Sequence, residues 1–158
     1  MTQYVGTVVR RQITVSASQE RAFEVFTARL GTWWPKEYSI GQSPMADFIL
    51  EPKIGGRWYE LGQDGTQCDT GRVTAFEPPA RLILAWHLNG QWQFDPDPAH
   101  ASEVEVRFIA EGPARTRVEL EHRGFERHGA GADAVFGSVG GDTGWNYCLE
   151  SFAKQVAA

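Results

Sequence analysis

Two neighbouring segments of the chain, "SEVEVRFIAEG" and "RTRVELEHRGF", alternate apolar and charged residues with a period of two. Successive side chains of a strand point to opposite faces, so this pattern predicts strands with one buried and one solvated face. The buried set comprises Val104, Val106 and Phe108 on the first strand and Val118, Leu120 and His122 on the second. A one-sided sheet has to be covered by another element, which restricts the chain to a layered fold.

The C-terminal segment is suited to cover that sheet. Trp145, Leu149, Phe152 and Val156 recur at the spacing of one face of an amphipathic helix. The helix is predicted from about Asp142 to Val156, with an irregular or helical lead from about Ala132. On the same wheel, small residues form a second stripe, which either allows close packing on the sheet or leaves space beside it; they are Gly137, Gly141, Gly144 and Cys148. A plain loop before an Asp142 N-cap is the alternative.

The rest of the chain completes an α+β order. A first strand is predicted within Val5–Val15, followed by a helix capped by Ser16 or Ser18 and a short helical turn near Trp33. Four further strand segments precede the two alternating ones, and no helix-length pattern separates them, which favours an antiparallel meander. The expected fold is a curved antiparallel sheet of six to seven strands around the long C-terminal helix, with two short helices after the first strand. A chain of 158 residues suits one domain, residues 1–158.

Several sequence words, in order, resemble a known superfamily. They are "ITVSASQERAFEVFT" (13–27), "WWP" (33–35), "IGGRWYELGQDGT" (54–66), "GRVTAFEPPARLILAW" (71–86), "TRVELEHRGF" (116–125) and "GW" (144–145). Together they are similar to the START-like superfamily, also called SRPBCC or Bet v 1-like, and within it to the group named after the activator of Hsp90 ATPase. The resemblance implies a helix-grip fold with a hydrophobic cavity between the sheet and the long helix.

Composition excludes several functions. The net charge is -5 without a basic run, which disfavours nucleic-acid binding. The chain shows no charged-then-apolar leader and no apolar stretch near twenty residues, so we expect a cytoplasmic protein without a membrane span. Cys68 and Cys148 are interpreted as reduced thiols without a catalytic role. Motifs of standard hydrolases, metalloproteases and nucleotide-binding enzymes are absent, and no cofactor is expected.

The implied cavity selects the candidate ligand-binding residues, which are Trp33, Trp34, Trp58, Trp86, His122 and Trp145. Packing beneath the helical turn is the alternative for Trp33 and Trp34. His122 lies on the buried face, where its nitrogens are either satisfied locally or available to a ligand. If Trp86 points inward, its neighbour His87 points outward.

Catalytic candidates are few. If Trp58 faces inward, Glu60 shares that face, and His122 and Glu60 become candidates to exchange protons with a ligand; a solvated rim position for Glu60 is the alternative. Asp95, Asp97 and His100 in "DPDPAH" carry metal-ligand side chains, but the prolines favour a solvated loop, and no metal site is predicted.

Three functions remain open. The favoured one is a binding protein whose apolar cavity holds a lipid-like, aromatic or polyketide-like ligand. The first alternative is a cavity enzyme of cyclase, dehydratase or hydrolase type with His122 as acid/base. The second is a co-chaperone-like interaction domain, disfavoured because the eponymous proteins carry an additional chaperone-binding domain for which this chain has no room. A homodimer stays open.

Overall fold

The computed structural model describes residues 7–157, in which seven strands form one antiparallel sheet. In chain order the strands are β1 (Val8–Val15), β2 (Met45–Leu50), β3 (Arg57–Gly62), β4 (Gln67–Glu77), β5 (Arg81–Trp86), β6 (Ser102–Gly112) and β7 (Arg115–Arg123). Their order across the sheet is β1-β7-β6-β5-β4-β3-β2. The predicted meander from β2 to β7 is confirmed. Positions 5 and 6 of the predicted first strand lie outside the described residues.

Four α-helices accompany the sheet in the described part of the chain. They are α1 (Gln19–Thr27), α2 (Leu30–Trp33), α3 (Ala132–Val139) and α4 (Trp145–Ala157). The first two are the predicted short helices after β1, and α4 is the long C-terminal helix that the curled sheet encloses. The α+β helix-grip fold is therefore confirmed. Within residues 7–157, no helix is both long enough and apolar enough to cross a bilayer.

The alternating strands pair so that their apolar residues meet. Phe108 lies opposite Val118, Val106 opposite Leu120, and Val104 opposite His122. None of these six side chains is more than 2% exposed. Fully burying a large apolar side chain contributes about 1.5–3 kcal/mol, so this face of the sheet is a main source of stability.

Helix α1 closes one end of the sheet. The Ser18 hydroxyl accepts a hydrogen bond from the Arg21 N–H at 3.2 Å, which identifies Ser18 as the N-cap. The ring of Phe26 packs edge-on against Phe108 of β6 at 5.5 Å and against Phe152 of α4 at 5.3 Å. Through Phe26, the first helix, the sheet and the last helix share one core.

The C-terminal helix begins three residues later than the Asp142 expected from sequence. Residues 132–139 form the separate helix α3, and a turn at 140–144 precedes α4. A Cβ on Gly144 would lie 2.2 Å from the Val139 carbonyl oxygen, so only glycine permits this close turn. The apolar stripe itself is confirmed, since Trp145, Leu149, Phe152 and Val156 are all buried.

The outer face of the sheet carries an ion-pair network centred on Glu105. Its carboxylate accepts from Arg81 and Arg107 at 2.8 Å and from Arg123 at 2.7 Å. Burial opposes ionisation, but the hydrogen bonds from Arg81, Arg123 and Arg107 prevail and lower the pKa of Glu105 from 4.5 to about 2. Glu105 therefore stays charged in the folded protein well below its ordinary titration range.

We predict that Glu105→Gln lowers the free energy of unfolding by about 2 kcal/mol at neutral pH, after allowance for screening at the partly exposed arginines. Because the folded pKa is depressed, this contribution is complete above the unfolded pKa of 4.5 and is lost as the pH falls toward about 2. Denaturant unfolding of both proteins across this range measures the difference. Glu119→Gln, which removes a carboxylate with one arginine partner, is the matched control. A wild-type advantage that does not shrink with falling pH would contradict the prediction.

Candidate functional site

A cleft of about 820 Å³ opens between the α3–α4 turn, the end of β5 and the segment after α2. This volume is in the range of small-molecule sites. Its lining combines aromatic, small and polar side chains: Trp34, Tyr38, Ser39, Ile40, Trp86, Leu88, Gln91, Trp92, Gln93, Gly137, Ser138, Val139, Gly141, Thr143, Gly144, Trp145 and Cys148.

The structure divides the predicted ligand residues into two groups. Trp34, Trp86 and Trp145 line the cleft. These three indoles form one wall of the cleft. Trp33, Trp58 and His122 lie behind this wall in the core, with exposed fractions of 2%, 1% and 0%. Ligand contact by any of the six stays a prediction.

Four indoles form a closed ring of contacts at the base of the cleft. The centroid distances are 6.5 Å for Trp34–Trp58, 5.8 Å for Trp58–Trp86, 5.8 Å for Trp86–Trp145 and 5.9 Å for Trp145–Trp34. All four contacts are edge-to-face, the favoured geometry of aromatic pairs. The Trp58 indole N–H donates to the Ala85 carbonyl oxygen at 3.1 Å, across Gly71, where a Cβ would stand 2.3 Å from that nitrogen. The ring of indoles is therefore held in a fixed arrangement.

His122 supports this wall from behind. The Trp145 indole N–H donates to His122 Nδ1 at 3.1 Å, so Nδ1 is the acceptor and Nε2 carries the proton. Nε2 then donates to the Ser102 hydroxyl at 2.8 Å, and that hydroxyl donates to His128 Nε2 at 2.7 Å. Both ring nitrogens of His122 are thus satisfied by protein groups, and its contacts fix the orientation of Trp145.

Their surroundings keep the two hydrogen-bonded histidines, His122 and His128, neutral. Burial, and secondarily the proximity of His128, holds the pKa of His122 well below 6.5. Burial likewise lowers the pKa of His128 to about 4. A neutral, Nε2-protonated His122 matches the direction of the hydrogen bonds, because a protonated ring could not accept from Trp145.

Glu60 faces inward with Trp58, but it is bound to the chain itself. Its carboxylate accepts from the Ser39 hydroxyl at 2.5 Å and from the backbone N–H groups of Ile40 at 2.8 Å and Gly41 at 3.1 Å. These bonds tie residues 39–41, which form one edge of the cleft, to strand β3. Glu60 and His122 share a sheet face, yet neither lines the cleft, and their predicted acid/base role stays a prediction.

The segment that forms this edge of the cleft is also hydrogen-bonded to the α3–α4 turn on the opposite side of the cleft. The Tyr38 hydroxyl donates to the Thr143 carbonyl oxygen in the α3–α4 turn. The rings of Tyr38 and Tyr147 pack edge-to-face at 5.8 Å, and the Tyr147 hydroxyl donates to Glu37 at 2.8 Å. Residues 37–41 therefore form a strap along the cleft that is bound at both ends.

The stripe of small residues belongs to this site. Gly137 on α3, Gly141 and Gly144 in the α3–α4 turn, and Cys148 on α4 all line the cleft, so these small residues leave space there, although the turn prevents one continuous helical stripe. Burial raises the pKa of Cys148 to about 12. Cys148 is therefore a neutral thiol at physiological pH and a poor nucleophile.

Residues 95–100 lie on the outer face of the sheet. His100 Nδ1 is 2.8 Å from Asp95 Oδ2, and this hydrogen bond raises the pKa of His100. His87 points to the outer face but is buried under this loop, with Nδ1 2.7 Å from the Asp95 carbonyl oxygen. Across residues 7–157, no three His, Cys, Asp or Glu side chains are grouped as metal ligands.

Several residues in or beside the cleft are not predicted by the sequence, among them Ser102, Tyr38 and Trp92. Ser102 extends the period-two alternation of Val104 and Val106, so that pattern could have placed it on the inner face. Tyr38 and Trp92 lie in irregular segments, where periodicity assigns no face. Only the tertiary structure brings them to the cleft.

The curved sheet around a C-terminal helix, with this aromatic core, defines a protein of the START-like (SRPBCC, Bet v 1-like) superfamily. More specifically, the chain belongs to the family described as "Activator of Hsp90 ATPase homolog 1-like protein", whose model matches residues 16–157. No curated protein sequence matches the chain.

Solved structures support this assignment. The anthrahydroquino-γ-pyrone synthase Txn09 is 41% identical, with a TM-score of 0.68 and coverage of 93% of this chain and 95% of that one. The self-sacrificing resistance protein CalC from Micromonospora echinospora is 34% identical, with a TM-score of 0.69 and coverage of 94% and 93%. CalU16 from the same organism, at 21% identity, TM-score 0.60 and coverage of 96% and 84%, shares the fold.

We predict that Glu60→Gln lowers the free energy of unfolding by about 2 kcal/mol, because an amide cannot replace a carboxylate that accepts three hydrogen bonds. The amide protons of Ile40 and Gly41 should exchange faster with solvent, as measured by NMR. Glu77→Gln, at an exposed ion pair, is the control and should cost less than about 0.5 kcal/mol. Unchanged exchange at Ile40 and Gly41 would show that Glu60 does not anchor the strap.

A second prediction concerns pH. Below the unfolded pKa of 6.5 the unfolded chain binds protons at His122 and His128, whereas the folded protein does not, so stability falls as the pH drops. His128→Gln removes one of these groups. As the pH falls from roughly 7 to 5, the free energy of unfolding of this variant should decrease by about 1 kcal/mol less than that of the wild type. His100→Gln is the control of opposite sign, because the raised pKa of His100 contributes stability at low pH. Equal pH slopes in wild type and His128→Gln would contradict the assignment.

Proposed function

We propose that the protein binds a planar, aromatic, polyketide-like small molecule in the tryptophan-lined cleft. The observation that carries this proposal is the cleft wall itself, in which Trp34, Trp86 and Trp145 meet at a concave surface. Indoles offer large apolar faces that stack on flat ring systems. A site of this kind binds by apolar contact and uses its few polar groups to orient the ligand.

The polar groups of the cleft lie mainly around its opening. They include Ser39, Gln91, Gln93, Ser138 and Thr143. An oxygenated aromatic ligand would place its rings against the indoles and its polar substituents toward these groups. A saturated lipid chain would make no hydrogen bond with these groups, whereas an oxygenated ring would, which favours the aromatic ligand over the lipid-like one.

The comparisons support a small-molecule role. The name of Txn09 describes the synthesis of a fused aromatic product, and the name of CalC describes resistance. Both proteins are more than 30% identical over nearly the whole chain, so a site for related chemistry is the economical reading of this cleft.

A cyclase activity is the second candidate, favoured by the 41% identity with a γ-pyrone synthase. In such a closure a phenolic oxygen of an ortho-hydroxyaryl β-diketone forms a C–O bond to the distal carbonyl carbon, and the hemiketal then loses water. No redox partner is required. The cleft would contribute by holding the substrate in the folded conformation.

The test of binding uses Gly137, which lines the cleft within helix α3. A Cβ added there meets no atom within 4 Å, so a larger side chain is accommodated at the cleft without displacing the backbone. We predict that Gly137→Leu keeps or raises the melting temperature, since glycine inside a helix costs about 0.5–1 kcal/mol relative to alanine. Calorimetric titration with anthraquinone sulfonate should show about tenfold or greater loss of affinity.

Gly137→Ala is the matched control, because it gains the same helical stability but fills little of the cleft. It should bind within about threefold of the wild type. A wild-type protein that binds no planar aromatic probe would contradict the proposal, and equal affinity of Gly137→Leu would place the ligand elsewhere. For the cyclase candidate, the rate of γ-pyrone formation from an ortho-hydroxyaryl β-diketone is compared between wild type and Gly137→Leu; no acceleration over the protein-free reaction would reject it.

A further inference from the structure

Trp92 occupies an unfavourable position at the mouth of the cleft. Its backbone φ is 62°, in the left-handed region, and it is the one such non-glycine residue within 7–157. Bulky side chains rarely adopt this conformation. Its indole is also 38% exposed. Strained backbone that persists at a binding surface is commonly part of the function of that surface.

The loop around Trp92 is built to hold this conformation. The Asn89 side-chain oxygen accepts from the N–H groups of Gln91 at 2.9 Å and Gln93 at 3.1 Å. The Asn89 N–H donates to the Gln93 carbonyl oxygen at 2.9 Å, and the Trp92 N–H donates to the Asn89 carbonyl oxygen at 3.0 Å. Four hydrogen bonds through one asparagine therefore determine the turn that presents Trp92 to the cleft.

Trp92 lies against Trp86, whose indole N–H has no hydrogen-bond partner among the described residues. The two rings are edge-to-face at 6.4 Å. His122 is close to Trp86, at 5.3 Å between centroids, but its acceptor nitrogen is already used by Trp145. A buried donor without an acceptor costs free energy, so the free protein holds an unmet hydrogen bond beside the cleft.

We propose that Trp92 and Trp86 form the recognition subsite of the cleft, which selects planar ring systems that carry a carbonyl or phenolic oxygen at the ring edge. The proposal rests on the function proposed above and names the ligand chemistry that this site selects. Trp92 packs on the ring face, and the Trp86 N–H donates to the edge oxygen. The Trp86 Nε1 atom is buried in the free protein, so this hydrogen bond requires the partly exposed Trp92 side chain to turn aside and uncover it when the ligand enters.

The hydrogen bond is tested with two probes on the wild-type protein. Anthraquinone sulfonate and anthracene sulfonate share a flat three-ring frame and a charged group, and they differ in the two carbonyl oxygens. We expect the quinone to bind about tenfold more tightly in calorimetric titration. Its carbonyl oxygen accepts a hydrogen bond from the buried Trp86 N–H, whereas the anthracene leaves that N–H without an acceptor. Equal affinities would overturn the role of the Trp86 N–H.

The role of Trp92 is tested with two variants. Trp92→Asn removes the ring but tolerates left-handed backbone, and we expect about tenfold weaker binding of anthraquinone sulfonate. Trp92→Phe restores an aromatic face and should recover most of that loss. Ile54→Asn, at an apolar residue that is 71% exposed and away from the cleft, is the matched control and should bind like the wild type.

A purely structural role of Trp92 would lower the melting temperature of Trp92→Asn and leave its affinity unchanged, and that result would overturn the subsite. The proposed function, binding of a planar aromatic molecule in the cleft, would fail with a different set of binding results. If the wild type binds neither probe, the proposed function falls together with the subsite. If the wild type binds both probes equally and Trp92→Asn keeps that affinity, only the subsite falls.

Discussion

The contact ring of four indoles is the constraint on which the rest of the structure depends. It joins Trp58 and Trp86 from the sheet to Trp34, which follows α2, and to Trp145, which begins α4. Three separate parts of the chain must therefore be in register before any of the four rings finds its partners. Three of these rings, those of Trp34, Trp86 and Trp145, form the wall of the cleft, so the interaction that closes the core also shapes the binding surface.

The buried polar side chains of the protein support this wall. His122 holds the Trp145 indole, and Glu60 holds the strap that borders the cleft. Both acid/base candidates of the sequence, His122 and Glu60, are paired with other protein groups in the structure. Cys148 reaches the cleft, but burial keeps its thiol protonated. What the cleft offers a ligand is thus aromatic surface, a shape and a few hydrogen-bonding groups, which suits recognition of flat oxygenated rings.

Distant relatives share the fold, and the fold alone does not assign a ligand. At 21% identity, CalU16 demonstrates the common architecture and nothing about the ligand. The left-handed backbone at Trp92 and the unpartnered Trp86 N–H are local properties. In a fold that carries many activities, such local properties are the basis for assigning a function.

The layers of the fold and much of the core follow from residue patterns alone. Period-two alternation placed Val104, Val106 and His122 on the buried face, and helical spacing placed the stripe that contains Trp145, because these patterns follow from backbone geometry alone. Which of the predicted residues reach the cleft depends on how the helices, strands and loops pack together. Trp34, Trp86 and Trp145 line it, Trp33 and Trp58 lie behind it, and Trp92 joins it from a loop without periodicity. The reason is that periodicity predicts only that a side chain points to the inner face. The residues that other elements place around it determine whether it contacts protein or borders the cleft.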